Sequence, residues 1–427
     1  MLRGLLIALV SVNLGLLVGS ASGDDWPRWR GPKVDAICQE KGLLKSWPAE
    51  GPPIAWKADG LGGGYGAPTI AKGRVFGMGY VGDDEVIWAL DEKTGKKIWS
   101  VRIDGRIQVG YGEGPRSSPT VEGDRIYGVG VAGTIACIKQ TGNKAELLWK
   151  RNFQTDFGGR VPTWGFSESV LIDGEQVVCT PGGPKAGMVA LNKTTGEVIW
   201  KCPIPGAGGA QYCSINKVVV GGVPVYLTWM QNAFVGVEAK TGKLLFTNNE
   251  VAGSVANIPT ALVKGTDVVC STGYTSKGGI MQLKLAPSGD GGVTATSGWK
   301  YPSSKFGNHH GGMVLVGDYI YFGHGQNRGE LVCMNFNTGE VMWGPIRPSP
   351  GSGSTAILYA DGMLYCRYQD GRLCLVEANP KEYKLVSRFT LPDRSNHPSW
   401  PHPVIANGRL YIRDQDKMVV FDVRANR

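Results

Sequence analysis

Ten side chains suited to ligand binding fall at two recurring places in this sequence, either just before a predicted strand or in the loop two strands later. Arginine can hold a carboxylate, tryptophan can stack on a flat ring or a sugar, and histidine can exchange protons or bind a metal. The ten candidates are Tyr111, Arg116, Arg160, Trp164, His309, His310, Gln326, Asn327, Trp400 and His402. Their chemistry predicts a binding site, provided that the fold brings them together.

A repeated hairpin sequence indicates what that fold is. In the segment Ala89-Leu90-Asp91-Glu92-Lys93-Thr94-Gly95-Lys96-Lys97-Ile98-Trp99, an apolar strand leads into a polar turn whose glycine can adopt positive φ, and a second strand carries a tryptophan. Related segments occupy residues 136–149, 190–200, 236–246, 282–299, 333–343 and 374–389. The closing aromatic residues are about 43 to 53 residues apart, and such a period of strands predicts the blades of a propeller.

The sequence therefore predicts an all-β fold, an eight-bladed β-propeller of four-stranded antiparallel blades. Residues 54–57 resemble a lone fourth strand and residues 404–423 resemble three strands, so the two ends of the chain are expected to complete one blade together. Because each blade follows the same order, the starts of first strands and the second-to-third loops share one rim. The ten candidates should converge at that mouth of the channel.

The amino-terminal segments are predicted to lie outside this repeat. Residues 1–23 combine a charge, an apolar run and small residues, which predicts a secretory signal peptide and hence a periplasmic or extracellular location. About 14 apolar residues are too few to span a bilayer, and no later run is long enough, so no transmembrane segment is expected. Residues 24–53 contain three tryptophans and are expected to form an arm packed on the propeller, which itself spans residues 54–427.

Charge and cysteine content limit the other interpretations. The net charge is +9, but no dense block of Lys and Arg is present, so no nucleic-acid partner is expected. Of the nine cysteines, six fall within strands or hairpins and are predicted to be buried thiols, namely Cys137, Cys179, Cys270, Cys333, Cys366 and Cys374. Cys202 and Cys213 flank one connection between blades, and the sequence leaves open whether they form a disulfide.

Several candidates also have a structural interpretation. Arg116 can simply pair with Glu113, and Trp164 and Trp400 can pack between blades. Adjacent residues in a strand point to opposite faces, so no more than one of His309 and His310 is expected to face the channel. No metal site is predicted from these histidines.

The repeat Ala-Leu-Asp/Asn-x-x-Thr-Gly-x-x-x-Trp resembles that of the pyrroloquinoline quinone (PQQ) dehydrogenase-like propellers over nearly all of the chain after residue 23. The segments 25–32 and 111–116 are similar to those of an exported bacterial group of PQQ-repeat proteins. The resemblance implies either a quinone-dependent dehydrogenase or a scaffold related to the propeller lipoprotein of the outer-membrane β-barrel assembly machinery. A PQQ enzyme would use a divalent cation held by Glu and Asn, an Asp base and often adjacent cysteines. This sequence lacks the cysteine pair and a recognisable set of those ligands.

The sequence thus predicts an exported binding or scaffold protein, with no cofactor assigned. A small-molecule or glycan ligand, or a protein partner, would occupy the rim that contains the ten candidates. The first alternative is a dehydrogenase that uses PQQ with Ca²⁺ to oxidise an alcohol or a sugar. The second is a glycan-binding propeller.

Overall fold

The structure is a computed structural model that describes residues 25–253, 255–274, 277–289 and 291–425. The predicted signal peptide, residues 1–23, lies outside these ranges. No helix that could cross a membrane occurs within them.

The strands of the arm and the first four blades are, in chain order, β1 (Ile37–Cys38), β2 (Ile54–Ala58), β3 (Thr69–Ala71), β4 (Arg74–Val81), β5 (Asp84–Asp91), β6 (Lys97–Gly105), β7 (Thr120–Glu122), β8 (Arg125–Val129), β9 (Thr134–Thr141), β10 (Lys144–Asn152), β11 (Leu171–Asp173), β12 (Gln176–Cys179), β13 (Met188–Asn192), β14 (Val198–Cys202), β15 (Asn216–Val220), β16 (Val223–Trp229), β17 (Phe234–Glu238) and β18 (Leu244–Asn248).

The second half of the chain continues the same pattern of short strands. These strands are β19 (Leu262–Lys264), β20 (Asp267–Thr272), β21 (Gly279–Pro287), β22 (Val293–Pro302), β23 (Asn308–Val316), β24 (Tyr319–His324), β25 (Glu330–Asn335), β26 (Val341–Trp343), β27 (Thr355–Ala360), β28 (Met363–Tyr368), β29 (Arg372–Glu377), β30 (Leu385–Thr390), β31 (Val404–Ala406), β32 (Arg409–Asp414) and β33 (Lys417–Asp422).

The strands form eight antiparallel blades arranged in a ring, which confirms the predicted fold. Blades 1 to 7 take four consecutive strands each, from β3–β6 through β27–β30. Blade 8 has the order β2-β33-β32-β31, so the amino-terminal strand β2 supplies its fourth strand, with Ile54 opposite Phe421. This pairing closes the ring by hydrogen bonds and leaves no open sheet edge at the junction.

The repeated Thr-Gly sequence forms the turn between the third and fourth strands. In blade 1, Asp91 Oδ1 accepts hydrogen bonds from Thr94 N at 2.9 Å and from Thr94 Oγ1 at 2.7 Å. Gly95 has φ of 71° and its N–H donates to Asp91 O at 2.8 Å. The Asp or Asn side chain therefore caps the turn, and glycine supplies the left-handed conformation that a side chain would disfavour.

Regularly spaced tryptophans join several of the blades to the next one at these turns. Trp56 of blade 8 donates from Nε1 to Glu92 O of blade 1 at 2.9 Å, and a Cβ on Gly95 would come within 2.5 Å of its ring. The same donation to a neighbouring hairpin is made by Trp149, Trp200, Trp299 and Trp343. Gly95, Gly196, Gly242 and Gly339 thus provide the turn and also the space for the indole of the preceding blade.

The arm runs along the central channel beside the innermost strands. Trp26 bridges Ile70 of blade 1, and Pro27 O accepts from Val121 N of blade 2. Further on, β1 pairs in parallel with β27, the first strand of blade 7. The arm then reaches the opposite side of the ring, where Leu44 N donates to Val423 O at 2.7 Å. It therefore occupies the channel that the propeller would otherwise leave open.

All nine cysteines are buried, and none of them forms a disulfide. This result agrees with the prediction for the six strand and hairpin cysteines. It also answers the question left open for the connection between blades 3 and 4, because Cys202 and Cys213 are unpaired thiols. Burial raises the thiol pKa of each of these two to about 11, so both are protonated and unreactive at neutral pH.

Candidate functional site

A cavity of about 190 Å³ opens at the rim formed by the starts of the first strands and by the second-to-third loops. Eight of the ten predicted residues line it, namely Tyr111, Arg116, Trp164, His309, His310, Asn327, Trp400 and His402. Arg160 and Gln326 do not line it, because both lie exposed on the protein surface outside the cavity. We call this side of the ring the cavity rim and the side with the Thr-Gly turns the hairpin rim.

The wall of the cavity is a nearly continuous series of rings, which we call the aromatic belt. Its members come from seven different blades or the loops that precede them, and they are Tyr212, Trp164, Tyr274, His309, His310, Trp400, Tyr111 and Tyr65. The centroids of contacting rings lie 4.3 to 5.5 Å apart. A Cβ on Gly110 would be 2.8 Å from Trp164, so the loop that carries Tyr111 also touches the other end of the belt. The arrangement offers an apolar wall for a flat ligand.

Arg116 holds the Tyr111 loop in place. Its Nη2 donates to Gly110 O at 2.8 Å and to Tyr111 O at 2.7 Å, and the guanidinium lies over the Tyr65 ring at 5.3 Å. Glu113 is engaged elsewhere, with Tyr65 Oη at 2.7 Å and His397 Nδ1 at 3.0 Å, so the pairing of Arg116 with Glu113 considered from the sequence is not formed. Arg116 therefore contributes positive charge to the cavity while its nitrogens fix the loop.

Both His309 and His310 line the cavity, which contradicts the expectation that only one could face the channel. The register of β23 against β24 is irregular between Asn308 and Met313, and Gly312 in this segment has φ of 73°. The regular alternation of side chains is therefore lost here. The two imidazole centroids lie 4.3 Å apart.

The cavity histidines are neutral at physiological pH. Burial lowers the pKa of His309 to about 4 and that of His402 to about 3. Burial and the two neighbouring imidazoles hold the pKa of His310 well below its ordinary value. The positive charge of the cavity thus comes from arginine alone.

The arm supplies part of the cavity that the sequence did not assign. Trp29 and Arg30 line the inner end, where the Trp29 ring lies 4.6 Å from that of His402 and its Nε1 donates to Thr260 Oγ1 at 3.0 Å. Burial lowers the pKa of Arg30 to about 10, so this guanidinium remains charged at neutral pH. The cluster of Trp and Arg in the arm was visible in the sequence, but its position in the channel was not.

The charged groups around the cavity determine which ligands suit it. Arg30 and Arg116 line it, whereas none of the described lining residues is Asp or Glu. Within the described part of the chain, no group of three or more His, Cys, Asp or Glu is arranged to hold a metal ion. Because Ca²⁺ takes six to eight oxygen ligands, usually including carboxylates, these residues do not fit PQQ bound together with Ca²⁺.

The fold and the repeated hairpins define an eight-bladed propeller of the PQQ-repeat class. The family described as outer membrane protein assembly factor BamB matches residues 34–144, 106–201 and 131–344. These matches together cover well over half of the chain, and the protein belongs to this family.

Individual relatives are distant. A tetrathionate hydrolase from Acidithiobacillus ferrooxidans is 22% identical over 91% of this chain and 80% of its own length. The quinohemoprotein alcohol dehydrogenase of Comamonas testosteroni is similar in structure with a TM-score of 0.64 and 12% identity, over 94% of this chain and 81% of that chain. BamB from Moraxella catarrhalis has a TM-score of 0.55 and 11% identity, over 81% and 95% respectively. At these identities the similar structures share the fold alone.

Proposed function

We propose that this protein is an exported binding propeller whose ligand is a small molecule held in the cavity by the aromatic belt. The belt is the observation that carries the proposal, since rings from seven blades meet around one cavity that opens at the rim. A cavity of roughly 150 Å³ accepts a benzene-sized ligand, so this one has room for at least a single ring.

The residues around the cavity favour binding over PQQ-dependent oxidation. That chemistry in the dehydrogenases requires a cation site, and the lining offers amides of Asn327 and Gln369 but no carboxylate. The relative named tetrathionate hydrolase acts on a small anion, which supports a small ligand here. The description of the family as an outer membrane protein assembly factor supports an exported location, periplasmic or extracellular.

The proposal can be tested with anilinonaphthalene sulfonate (ANS), an aromatic dye whose fluorescence rises in apolar sites. The protein that comprises residues 24–427 should bind ANS saturably, with one site per molecule. Tyr111→Ala should weaken binding roughly fivefold, because the ring of Tyr111 packs against that of Trp400 in the belt. Fluorescence titration measures both quantities.

Leu147→Ala is a matched control for this experiment. Leu147 is an apolar residue exposed on the outer strand β10, with 37% of its surface accessible, and it does not line the cavity. Its substitution should leave ANS affinity unchanged. An equal loss in both variants, or no saturable binding, would contradict the cavity as the site and favour a glycan or protein contact elsewhere on the rim.

A further inference from the structure

Three polar atoms at the inner end of the cavity lack a hydrogen-bond partner within the described residues. They are Arg30 Nη1, His309 Nε2 and His310 Nε2, and each is buried. All three residues line the cavity. An unpaired buried polar atom costs about 1–3 kcal/mol, and native proteins rarely leave such atoms unpaired. Other buried atoms of the described residues are also unpaired, but these three belong to residues of one cavity, and this grouping points to a group from outside the chain that completes the hydrogen bonding.

The remaining nitrogens of these side chains are held by the protein. Arg30 Nε donates to Val34 O at 3.3 Å, while Nη2 donates to Asp35 O at 3.2 Å and to Met313 O. Arg30 is therefore fixed by the arm and by blade 6, and only Nη1 is left. A Cβ on Gly312 would be 2.7 Å from Nη1, so a side chain at this position would collide with the guanidinium.

His309 is oriented in a similar way. Its Nδ1 lies 2.9 Å from Ser354 Oγ, and in the tautomer in which Ser354 donates this bond, the ring proton is on Nε2. The imidazole is then a neutral donor at its unpaired nitrogen. The inner end of the cavity thus presents one cationic donor beside two imidazole nitrogens.

The charge of Arg30 is only partly compensated. The Asp35 carboxylate interacts with it electrostatically, but among the described residues Arg30 has no carboxylate oxygen within 4.0 Å of its nitrogens, and no Asp or Glu lines the cavity. A buried guanidinium without a directly paired counter-ion is costly, and an anionic acceptor relieves that cost while it satisfies the unpaired donor. The group that completes the site is therefore expected to carry negative charge on more than one oxygen.

We propose that the ligand is a small aromatic anion, whose carboxylate or sulfonate oxygens accept hydrogen bonds from Arg30 and the two histidines. Its flat apolar part lies against the aromatic belt. This inference rests on the proposed function and specifies the ligand class of the same cavity. The arm thereby becomes part of the binding site, because it delivers the charged group.

Displacement of a neutral dye tests the charge requirement directly. N-phenylnaphthylamine (NPN), which lacks a charged group, is first bound to the full chain without residues 1–23. Benzoate, benzenesulfonate and benzamide are then compared as competitors, since they share one ring and differ in the attached group. At least one of the two anions should displace NPN at a concentration roughly tenfold below that of benzamide, and the better anion identifies the headgroup. If NPN does not bind, the same competitors are titrated against bound ANS.

Variants separate a binding role of Arg30 from a structural one. Arg30→Gln should weaken ANS about tenfold while NPN affinity stays within twofold, and Arg30→Lys should recover part of the ANS affinity. If Arg30→Gln does not fold, His310→Phe serves instead, because it removes an unpaired nitrogen and keeps a ring in the belt. Equal potency of benzamide and the anions would overturn the inference and leave the cavity function standing. Absence of binding by both dyes would contradict both proposals.

Discussion

The two rims of this propeller are built in opposite ways. On the hairpin rim, the same contact recurs from blade to blade, in which an indole donates to a carbonyl of the next hairpin and covers its glycine. On the cavity rim, corresponding positions carry a different side chain in almost every blade, such as Tyr111, Trp164 and His310. Because this contact recurs in five of the eight blades, it belongs to the fold. The varied positions are free to define a site.

The hydrogen bonds of buried acids on the cavity rim also differ from one blade to the next. On the cavity rim, blades 1 and 2 are joined by Glu85, whose two carboxylate oxygens accept from Val131 N at 2.9 and 3.2 Å. Glu168, in the segment before β11, instead accepts from Thr180 N and Oγ1 of its own blade. These buried acids make contacts that differ from blade to blade. Because they titrate, the stability of the cavity rim depends on pH, whereas the indole contacts of the hairpin rim do not titrate.

The largest effect on stability is expected on the hairpin rim. There, one indole that makes the contact between blades can be compared with an equivalent indole that lacks the hydrogen bond. Trp200 Nε1 donates to Gln176 Oε1 at 3.0 Å and to Ala239 O at 3.2 Å, whereas the buried Nε1 of Trp99 has no partner within the described residues. Trp200→Phe should lower the free energy of unfolding by about 2–3 kcal/mol, because the buried Ala239 O and the part-buried Gln176 Oε1 both lose this donor. Urea denaturation measures this change.

Trp99→Phe is the matched control, since both indoles are 8% exposed. Its substitution should cost under about 1 kcal/mol, because it removes a donor that is already unpaired. Equal losses in the two variants would show that ring packing alone joins the blades, and the contrast between the rims would then rest on shape rather than on hydrogen bonding.

A smaller, pH-dependent effect is expected at Glu85. Burial raises the pKa of Glu85 from 4.5 to about 8, so the folded protein keeps the proton that the unfolded chain has lost. Stability from this group is complete below pH 4.5 and decreases as the pH rises toward 8. Relative to the wild type, Glu85→Gln should gain about 1–2 kcal/mol in unfolding free energy between about pH 6.5 and 8.

The pH profile of the difference is the decisive measurement for Glu85, because other titrating groups are common to both proteins and cancel. A constant difference across this range would mean that Glu85 is ionised in the folded state. Such a result would remove the distinction between pH-sensitive and pH-insensitive rims.

The same contrast explains what the sequence could predict. The hairpins are local and repeated, so the eight blades and the closing of blade 8 by β2 were readable, and the shared rim followed from strand order. The contribution of Arg30 to the cavity could not be predicted. The arm has no repeat and no regular alternation of apolar residues, so its sequence does not indicate which blade it contacts. The joint exposure of His309 and His310 was missed because it depends on an irregular register, for which Gly311-Gly312 was the only local signal.

The smallest effect is expected for Arg160, which the sequence grouped with the ligand-binding residues but which lies exposed outside the cavity. Arg160→Ala should change ANS affinity by less than about twofold, since a solvent-exposed charge is screened within roughly 8–10 Å at ordinary ionic strength. Titration beside Tyr111→Ala gives the comparison. A loss at Arg160 as large as that at Tyr111 would mean that the ligand extends over the outer rim beyond the belt. The functional surface would then be the whole cavity rim rather than the cavity alone. The contrast between a uniform hairpin rim and a cavity rim with a single binding site would no longer hold.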